Sequence, residues 1–291
     1  MIKCIASDMD GTLLNANQEI SQVTEEVIHS VQEKGIEFII ATGRAYNEVK
    51  FVFEQTGIRC PAICVNGGEI RDKDGKVLFS IGLDGVTSAN ISQVLEEFNI
   101  YFELYTDKGT YTTEYEGGIK AIVDIYHTAN PSVSIEEIQK FAEDRFNQRL
   151  IKLVDDFDAI FTAPDCKVYK FLVFSMDEQL LLDVSERLNQ IDGLEVTSSG
   201  RNNLEIMHKD AQKGIALKKY VESKGISLAD TMALGDNYND LSMLNIVGHS
   251  VAMGNAEQPI KDASRYETDT NDDDGVANAI VKILDNMEVS Q

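Results

Sequence analysis

Residues 3–12 read Lys3-Cys-Ile-Ala-Ser-Asp8-Met9-Asp10-Gly11-Thr12. Lys3 to Ser7 is a short apolar run that breaks directly into two aspartates and a glycine. Further along, Ser21 is a natural helix N-cap, with Glu25 and Glu26 in the first turn. Val23, Val27 and Val31 then recur every four residues until Gly35. IEFIIA (Ile36–Ala41) is a second continuous apolar run, the pattern of a strand buried on both faces. A polar break, TGR (Thr42–Arg44), opens a second helix that ends near Gly57. PAICV (Pro61–Val65) is a third strand, followed by NGG as a turn. Strands and helices alternating over short connections give an α/β fold built on a doubly wound parallel sheet.

The pattern changes after the hairpin-like EIRDKDGKVLFS and Gly82. Residues 83–198 mix long helical runs, such as SIEEIQKFAEDRFNQRL, with aromatic strand-like runs, YFELYT, TYTTEY and VYKFLVF. This reads as an inserted α+β domain, leaving 1–82 plus 199–291 as the discontinuous core. From Asn203 the alternation resumes, with LEIMH as a strand of that core. Next come a helix over 213–224, the strand TMALG breaking into DNYND, a short helix over 241–246 and the strand HSVAM. A terminal helix presents Val276, Ala279, Ile280, Ile283 and Leu284 on one face. Asp272 to Asp274 precede it as favourable charge at a helix N-terminus.

Composition narrows the function. The chain has 291 residues, 26 Lys or Arg against 49 Asp or Glu, and a net charge of −23. So acidic a chain is not expected to bind nucleic acid or an anionic membrane, since both need a cationic face. A small anionic substrate stays open, because a few local cations can reverse the sign in one pocket. No run of 18 apolar residues spans a bilayer. The opening residues lack a signal-peptide pattern. Cys4, Cys60, Cys64 and Cys166 are too few and scattered for a disulfide framework, so a reducing cytoplasm is expected, with Cys60 and Cys64 as strand packing.

Four polar clusters sit at the ends of apolar strands or at the helices that follow: DMDGT (Asp8–Thr12), TGR, QKG (Gln212–Gly214) and GDNYND (Gly235–Asp240). In open parallel sheets that edge is where ligands bind. Asp8 and Asp10 project the same way while the chain is extended. Two like charges side by side require that one be protonated or that a divalent cation lie between them. Asp236 adds a third carboxylate, and such an oxygen set suits Mg²⁺. Thr42 supplies a hydroxyl, Gly43 an unobstructed N–H at a helix start, and Lys213 a full positive charge. His29, His127, His208 and His249 lie outside the clusters, so acid–base duty falls to a carboxylate.

DMDGTLL, IIATGR, the lone Lys213-Gly214 and GDNYND resemble, in order, the four motifs of the haloacid-dehalogenase-like (HAD) hydrolase superfamily. The long insertion between the second and third is similar to the α/β cap of its Cof-type subclass IIB, and VNGG, VAMGNA and NDDDGVA resemble segments recurrent there. The resemblance implies a Rossmann-like core with an inserted cap, and a Mg²⁺-dependent phosphatase of small phosphorylated metabolites, sugar phosphates first. It implies Asp8 as nucleophile and Asp10 as general acid and base. Asp8, the main-chain carbonyl of Asp10, and Asp236 would be Mg²⁺ ligands. The N–H of Met9 with Thr42, Gly43, Lys213 and Asn239 would surround the phosphoryl group, with Asp240 behind Lys213. A phosphomutase and a non-catalytic binding protein are the competing readings, and the sequence sets no oligomeric state. MHKDAQKG departs from the Pro-Lys-Gly-Val that relatives more often show before a small polar residue, which affects the loop around Lys213. Asn66 reads as a turn residue or a substrate-facing one. Arg44 reads as a contact to substrate or cap, or as half of a surface ion pair. Tyr101, Phe102, Tyr105, Tyr111 and Tyr115 are expected to pack a core.

Overall fold

A computed structural model describes residues 1–129, 133–147 and 150–289. In chain order, β1 (Cys4–Ser7), α1 (Gln22–Glu33), β2 (Glu37–Ala41), α2 (Tyr46–Thr56), β3 (Ala62–Cys64), β4 (Glu69–Arg71) and β5 (Val77–Ser80) open the molecule. The middle comprises α3 (Gly85–Glu97), β6 (Phe102–Thr106), β7 (Gly109–Thr112), α4 (Tyr115–Ala129), α5 (Ile135–Asn147), β8 (Ile151–Leu153), α6 (Asp158–Phe161), β9 (Val168–Phe174), α7 (Glu178–Leu188), β10 (Leu194–Thr197) and β11 (Asn203–His208). The last part holds α8 (Lys213–Ser223), β12 (Thr231–Gly235), α9 (Leu241–Leu244), β13 (His249–Ala252), α10 (Gln258–Asp262), β14 (Tyr266–Glu267) and α11 (Gly275–Val289). Two compact units result: Met1–Ile81 with Asp210–Gln291, and Gly82–Lys209.

The first unit is an eight-stranded sheet in the order β14-β13-β12-β1-β2-β3-β4-β5. Its first six strands are parallel, and the β4–β5 hairpin continues them antiparallel. Ile5, Phe38, Ile39, Ile40, Met232 and Leu234 are fully buried, as strands sandwiched between helices require. Register aligns the strand ends: Ser7 of β1 lies opposite Ile40 of β2 on one side and Leu234 of β12 on the other. Asp8, Thr42 and Asp236 therefore leave the sheet along one edge.

Two local expectations change. Ser21 does cap α1, accepting from the Thr24 N–H, but the buried face is Thr24, Ile28 and Val31, and Val23 is exposed. A repeat of four drifts by about 40° per step on a helix of 3.6 residues per turn, so the Val23–Val27–Val31 row crosses from the exposed side through half-buried Val27 to buried Val31. Helix α2 begins at Tyr46, so Thr42 and Gly43 occupy the loop after β2 rather than a helix start.

The second unit is a six-stranded sheet, β10-β11-β9-β6-β7-β8. Phe102, Leu104, Phe171, Val173 and Ile206 form its core with Ile91, Leu95, Val184 and Leu188 of α3 and α7. Alternation puts Glu103 on the opposite face, fully buried, where it accepts from the hydroxyls of Tyr101 (3.2 Å) and Tyr105 (3.3 Å). Tyr101, Phe102 and Tyr105 are buried, whereas Tyr115 is exposed. Asn203–His208 corrects the sequence reading. This strand pairs antiparallel with β9 and β10, so it closes the second sheet and does not reopen the first. The downstream junction falls at 209/210 instead of 198/199. A lone apolar run looks alike in either sheet, and only its partners decide. No helix among the described residues is long and apolar enough to cross a membrane.

Candidate active site

Asp8 continues β1 by one residue, its N–H donating to the Leu234 carbonyl (3.0 Å), and its side chain is buried. Beyond it the chain closes a tight loop, in which Met9 O accepts from the N–H groups of Thr12 (3.3 Å) and Leu14 (2.9 Å). Gly11 has φ +76°, and a Cβ there would lie 2.5 Å from Asp236 Oδ2. Glycine is required at this point both for its backbone and for the space it leaves. The Thr12 hydroxyl donates to Asp236 Oδ1 (2.8 Å), tying the first cluster to the fourth. An outer brace supports the same loop. Asn255 donates to the Gly11 carbonyl (2.8 Å), Asn271 to the Leu14 carbonyl (2.9 Å), and Asp272 accepts from the Ala16 N–H (2.7 Å). Asp274 accepts from the Ser21 hydroxyl. Two of the three acids read as helix-terminus charge thus hold the opening loop.

Lys213 is the first residue of α8 and is fully buried. Its Nζ donates to Asp8 Oδ1 (2.6 Å) and Asp240 Oδ1 (2.7 Å). The other oxygen of Asp240 accepts from the N–H groups of Asp236 and Asn237, each at 3.0 Å, which shapes the turn carrying Asp236. Despite the unusual residues before it, Gln212-Lys213 keeps a tight fit. Gly214 lies where a Cβ would be 2.0 Å from the Ser242 carbonyl oxygen, and its N–H donates to the Ser242 hydroxyl (3.0 Å).

Electrostatics follow from this crowding. Burial raises the Asp8 carboxyl well above its usual range; Asp240, Asp236 and Asp10 add to the shift and Lys213 opposes it. Burial, then the charge of Asp240, raises Asp236 from 3.8 to about 7. For Lys213, burial disfavours the ammonium, but Asp240 and Asp8 outweigh that and raise its pKa. One ammonium thus faces three carboxylates, Asp8, Asp236 and Asp240, whose oxygens lie within 4.8 Å of one another. Uncompensated buried negative charge of this kind is relieved by a divalent cation, and an all-oxygen set fits Mg²⁺. Both oxygens of Asp240 are already engaged, whereas Asp8 and Asp236 each keep a second oxygen. The donor set therefore fits a cation between Asp8 and Asp236, with Asp240 orienting Lys213 and the turn.

The side chain of Asp10 lies outside that cluster. Its carboxylate takes a two-point contact from Arg44, Nε to Oδ2 at 2.8 Å and Nη2 to Oδ1 at 2.5 Å, and Arg44 also donates to Gln18. The Asp10 side chain is 50% exposed. Thr42 is buried, its hydroxyl oxygen accepting from the Arg44 N–H (3.1 Å). The Asn239 amide donates to Asn66 Oδ1 (3.3 Å). Arg44 therefore belongs with the first cluster. The partners of Asn66, Gln18 and Thr12 are not evident from sequence, because each lies distant in the chain. Cys60 and Cys64 are buried, and burial raises both thiols far above their ordinary range, leaving them inert packing.

Comparison with known proteins identifies the family. The family model described as haloacid dehalogenase-like hydrolase matches residues 5–280. The chain is 34% identical to phosphatase YwpJ of Bacillus subtilis over 285 residues, 97% of this chain and 100% of that protein. It is 37% identical to the 5-amino-6-(5-phospho-D-ribitylamino)uracil phosphatase YwtE of the same species, over 97% and 98% of the two chains. The solved structure of a haloacid dehalogenase-like hydrolase from B. subtilis superposes with a TM-score of 0.86 at 34% identity, covering 96% of this chain and 99% of that one.

Proposed function

We propose that this chain, which belongs to the haloacid dehalogenase-like hydrolases and is a phosphatase of the Cof-type subclass IIB, hydrolyses small phosphate monoesters of the sugar and ribityl-phosphate class with Mg²⁺ bound beside Asp8. The single observation that carries the reading is the Lys213 ammonium bridging Asp8 and Asp240 inside a buried carboxylate cluster. The relative YwtE, whose substrate is a ribitylamino phosphate by name, supports the substrate class.

In this reading an oxygen of Asp8 attacks phosphorus, and the bond from phosphorus to the alcohol oxygen breaks. Asp10 gives its proton to the departing alkoxide and then takes one from the water that cleaves the phosphoryl-Asp8 bond. To do so Asp10 exchanges its Arg44 contact for the substrate oxygen. Lys213, the Thr42 hydroxyl, the Met9 and Gly43 N–H groups and the Asn239 amide hold the phosphoryl oxygens. Asp8, the Asp10 carbonyl and Asp236 would hold Mg²⁺, which when bound neutralises charge on the phosphoryl group. Asp240 keeps Lys213 aimed at Asp8.

The test is kcat/KM over some tens of phosphorylated metabolites, with Mg²⁺ and with EDTA, for the wild type and Asp8→Asn. Sugar and ribityl phosphates are expected to lead, with turnover lost in EDTA and in the variant. Equal rates for wild type and Asp8→Asn would refute the nucleophile. A panel led by nucleoside triphosphates or phosphoproteins would refute the substrate class.

A further inference from the structure

The turn after β3 has an unusual backbone. Three consecutive residues are left-handed, Val65 (φ 44°), Asn66 (φ 54°) and Gly67 (φ 103°), although a β-branched side chain strongly disfavours that region. Val65 and Asn66 are buried, 2% and 1% exposed. The surroundings hold this strain in place. Val65 N–H donates to the Arg44 carbonyl and Asn66 N–H to the Thr42 carbonyl, both at 2.9 Å. A Cβ on Gly67 would lie 2.5 Å from the carbonyl oxygen of Gln212, the residue before Lys213. The Asn66 side chain meets Asn239 of the fourth cluster, accepting from its Nδ2 at 3.3 Å. One turn thus touches the second, third and fourth clusters at once.

Strain of this kind persists where the protein uses it. We infer that Asn66 is a positioning residue. Its amide oxygen fixes the plane of the Asn239 carboxamide, and the left-handed backbone is what carries that oxygen into place. The Asn239 Oδ1 atom is buried with no partner among the described residues, so the Asn66 contact is the one that sets the rotation of this side chain. The inference rests on the phosphatase reading, in which Asn239 grips the phosphoryl group. It predicts that stability and activity part company at residue 66, because glycine accepts the left-handed backbone freely but supplies no amide.

The test measures melting temperature, kcat and KM on p-nitrophenyl phosphate with Mg²⁺ for wild type, Asp8→Asn, Asn66→Gly, Asn239→Ala and Asn66→Gly/Asn239→Ala. Asn66→Gly is expected to melt at or above wild type and to lose about tenfold in kcat/KM, mostly as a rise in KM. The double variant should lose no more than Asn239→Ala alone, since one residue acts through the other. Additive losses, wild-type kcat/KM in Asn66→Gly, or a lowered melting temperature that accounts for its lost activity would overturn the inference. Equal turnover by wild type and Asp8→Asn would instead overturn the phosphatase reading beneath it.

Discussion

Replacing Lys213 by Met tests the electrostatic core of the site. The two side chains are similar in volume and both are unbranched, so the substitution removes the ammonium while leaving little cavity. Lys213 is fully buried and bonds Asp8 and Asp240 at 2.6 and 2.7 Å. Breaking a buried pair by removing one partner costs about 3–5 kcal/mol, because the remaining charge is stranded. For a folding unit of this size each kcal/mol moves the melting temperature by about 2–4 °C, so a fall of about 10 °C is expected at pH 8 in EDTA. Thermal melting of wild type and variant is the assay. The sign of its pH dependence is fixed by Asp236, raised from 3.8 to about 7. A carboxyl raised by folding binds its proton more tightly in the native state. It therefore destabilises the fold fully above pH 7, and that loss disappears on acidification towards pH 4. Without Lys213 the carboxylates repel one another more, so the gap between variant and wild type should narrow as pH falls from 8 to 5. Saturating Mg²⁺ should narrow it at fixed pH, since a ligand bound only by the native state stabilises it. A variant melting within about 2 °C of wild type at pH 8 in EDTA, or a gap unaffected by acid, would refute the argument.

Three further outcomes are expected. Asp236→Asn removes a half-buried charge that folding disfavours, so in EDTA at pH 8 it should melt a few degrees above wild type while losing the Mg²⁺-induced rise; calorimetry with and without the ion checks both. Gly11→Ala forces a Cβ to within 2.5 Å of Asp236 Oδ2 at φ +76°, and kcat/KM should fall at least about tenfold while circular dichroism stays native. In the second unit, Phe171→Ala should cost about 3–5 kcal/mol in denaturant unfolding, because Phe171 is fully buried among Phe102, Leu104 and the α3 and α7 side chains.

What could be read from the sequence was what short stretches encode by themselves. Phe38–Ala41 and Cys4–Ala6 are apolar runs because both faces of a central parallel strand are covered, and that pattern needs no knowledge of partners. The positions of Asp8, Asp10 and Asp236 just past apolar runs likewise place carboxylates on one edge of the sheet from strand pattern alone. Pairing is different. LEIMH is equally apolar as a strand of either sheet, and its antiparallel neighbours Val196 and Phe171 opposite Ile206 assign it to the second. The contacts of Arg44 with Asp10, Thr12 with Asp236 and Asn66 with Asn239 join residues up to 224 positions apart. Each depends on rotamers and loop closure that no local period records. The late start of α2 has the same origin: Ala45 in extended conformation, with Glu48 accepting from its N–H, sets the boundary.

The place of β1 in the sheet has a consequence for biosynthesis. β1 lies between β2 and β12, and its second neighbour begins only at Thr231. On the ribosome β2 is available within a few dozen residues, but the other flank of β1 lacks its partner until the entire insertion has emerged. At about 5–20 residues per second this lasts on the order of ten seconds or more. A nascent chain in that interval carries an apolar strand with one unpaired edge, an invitation to aggregation that chaperones can shield. It also carries Asp8 without Lys213 or Asp236, so the site cannot assemble until the segment through Asp236 has emerged, however early the amino-terminal half folds.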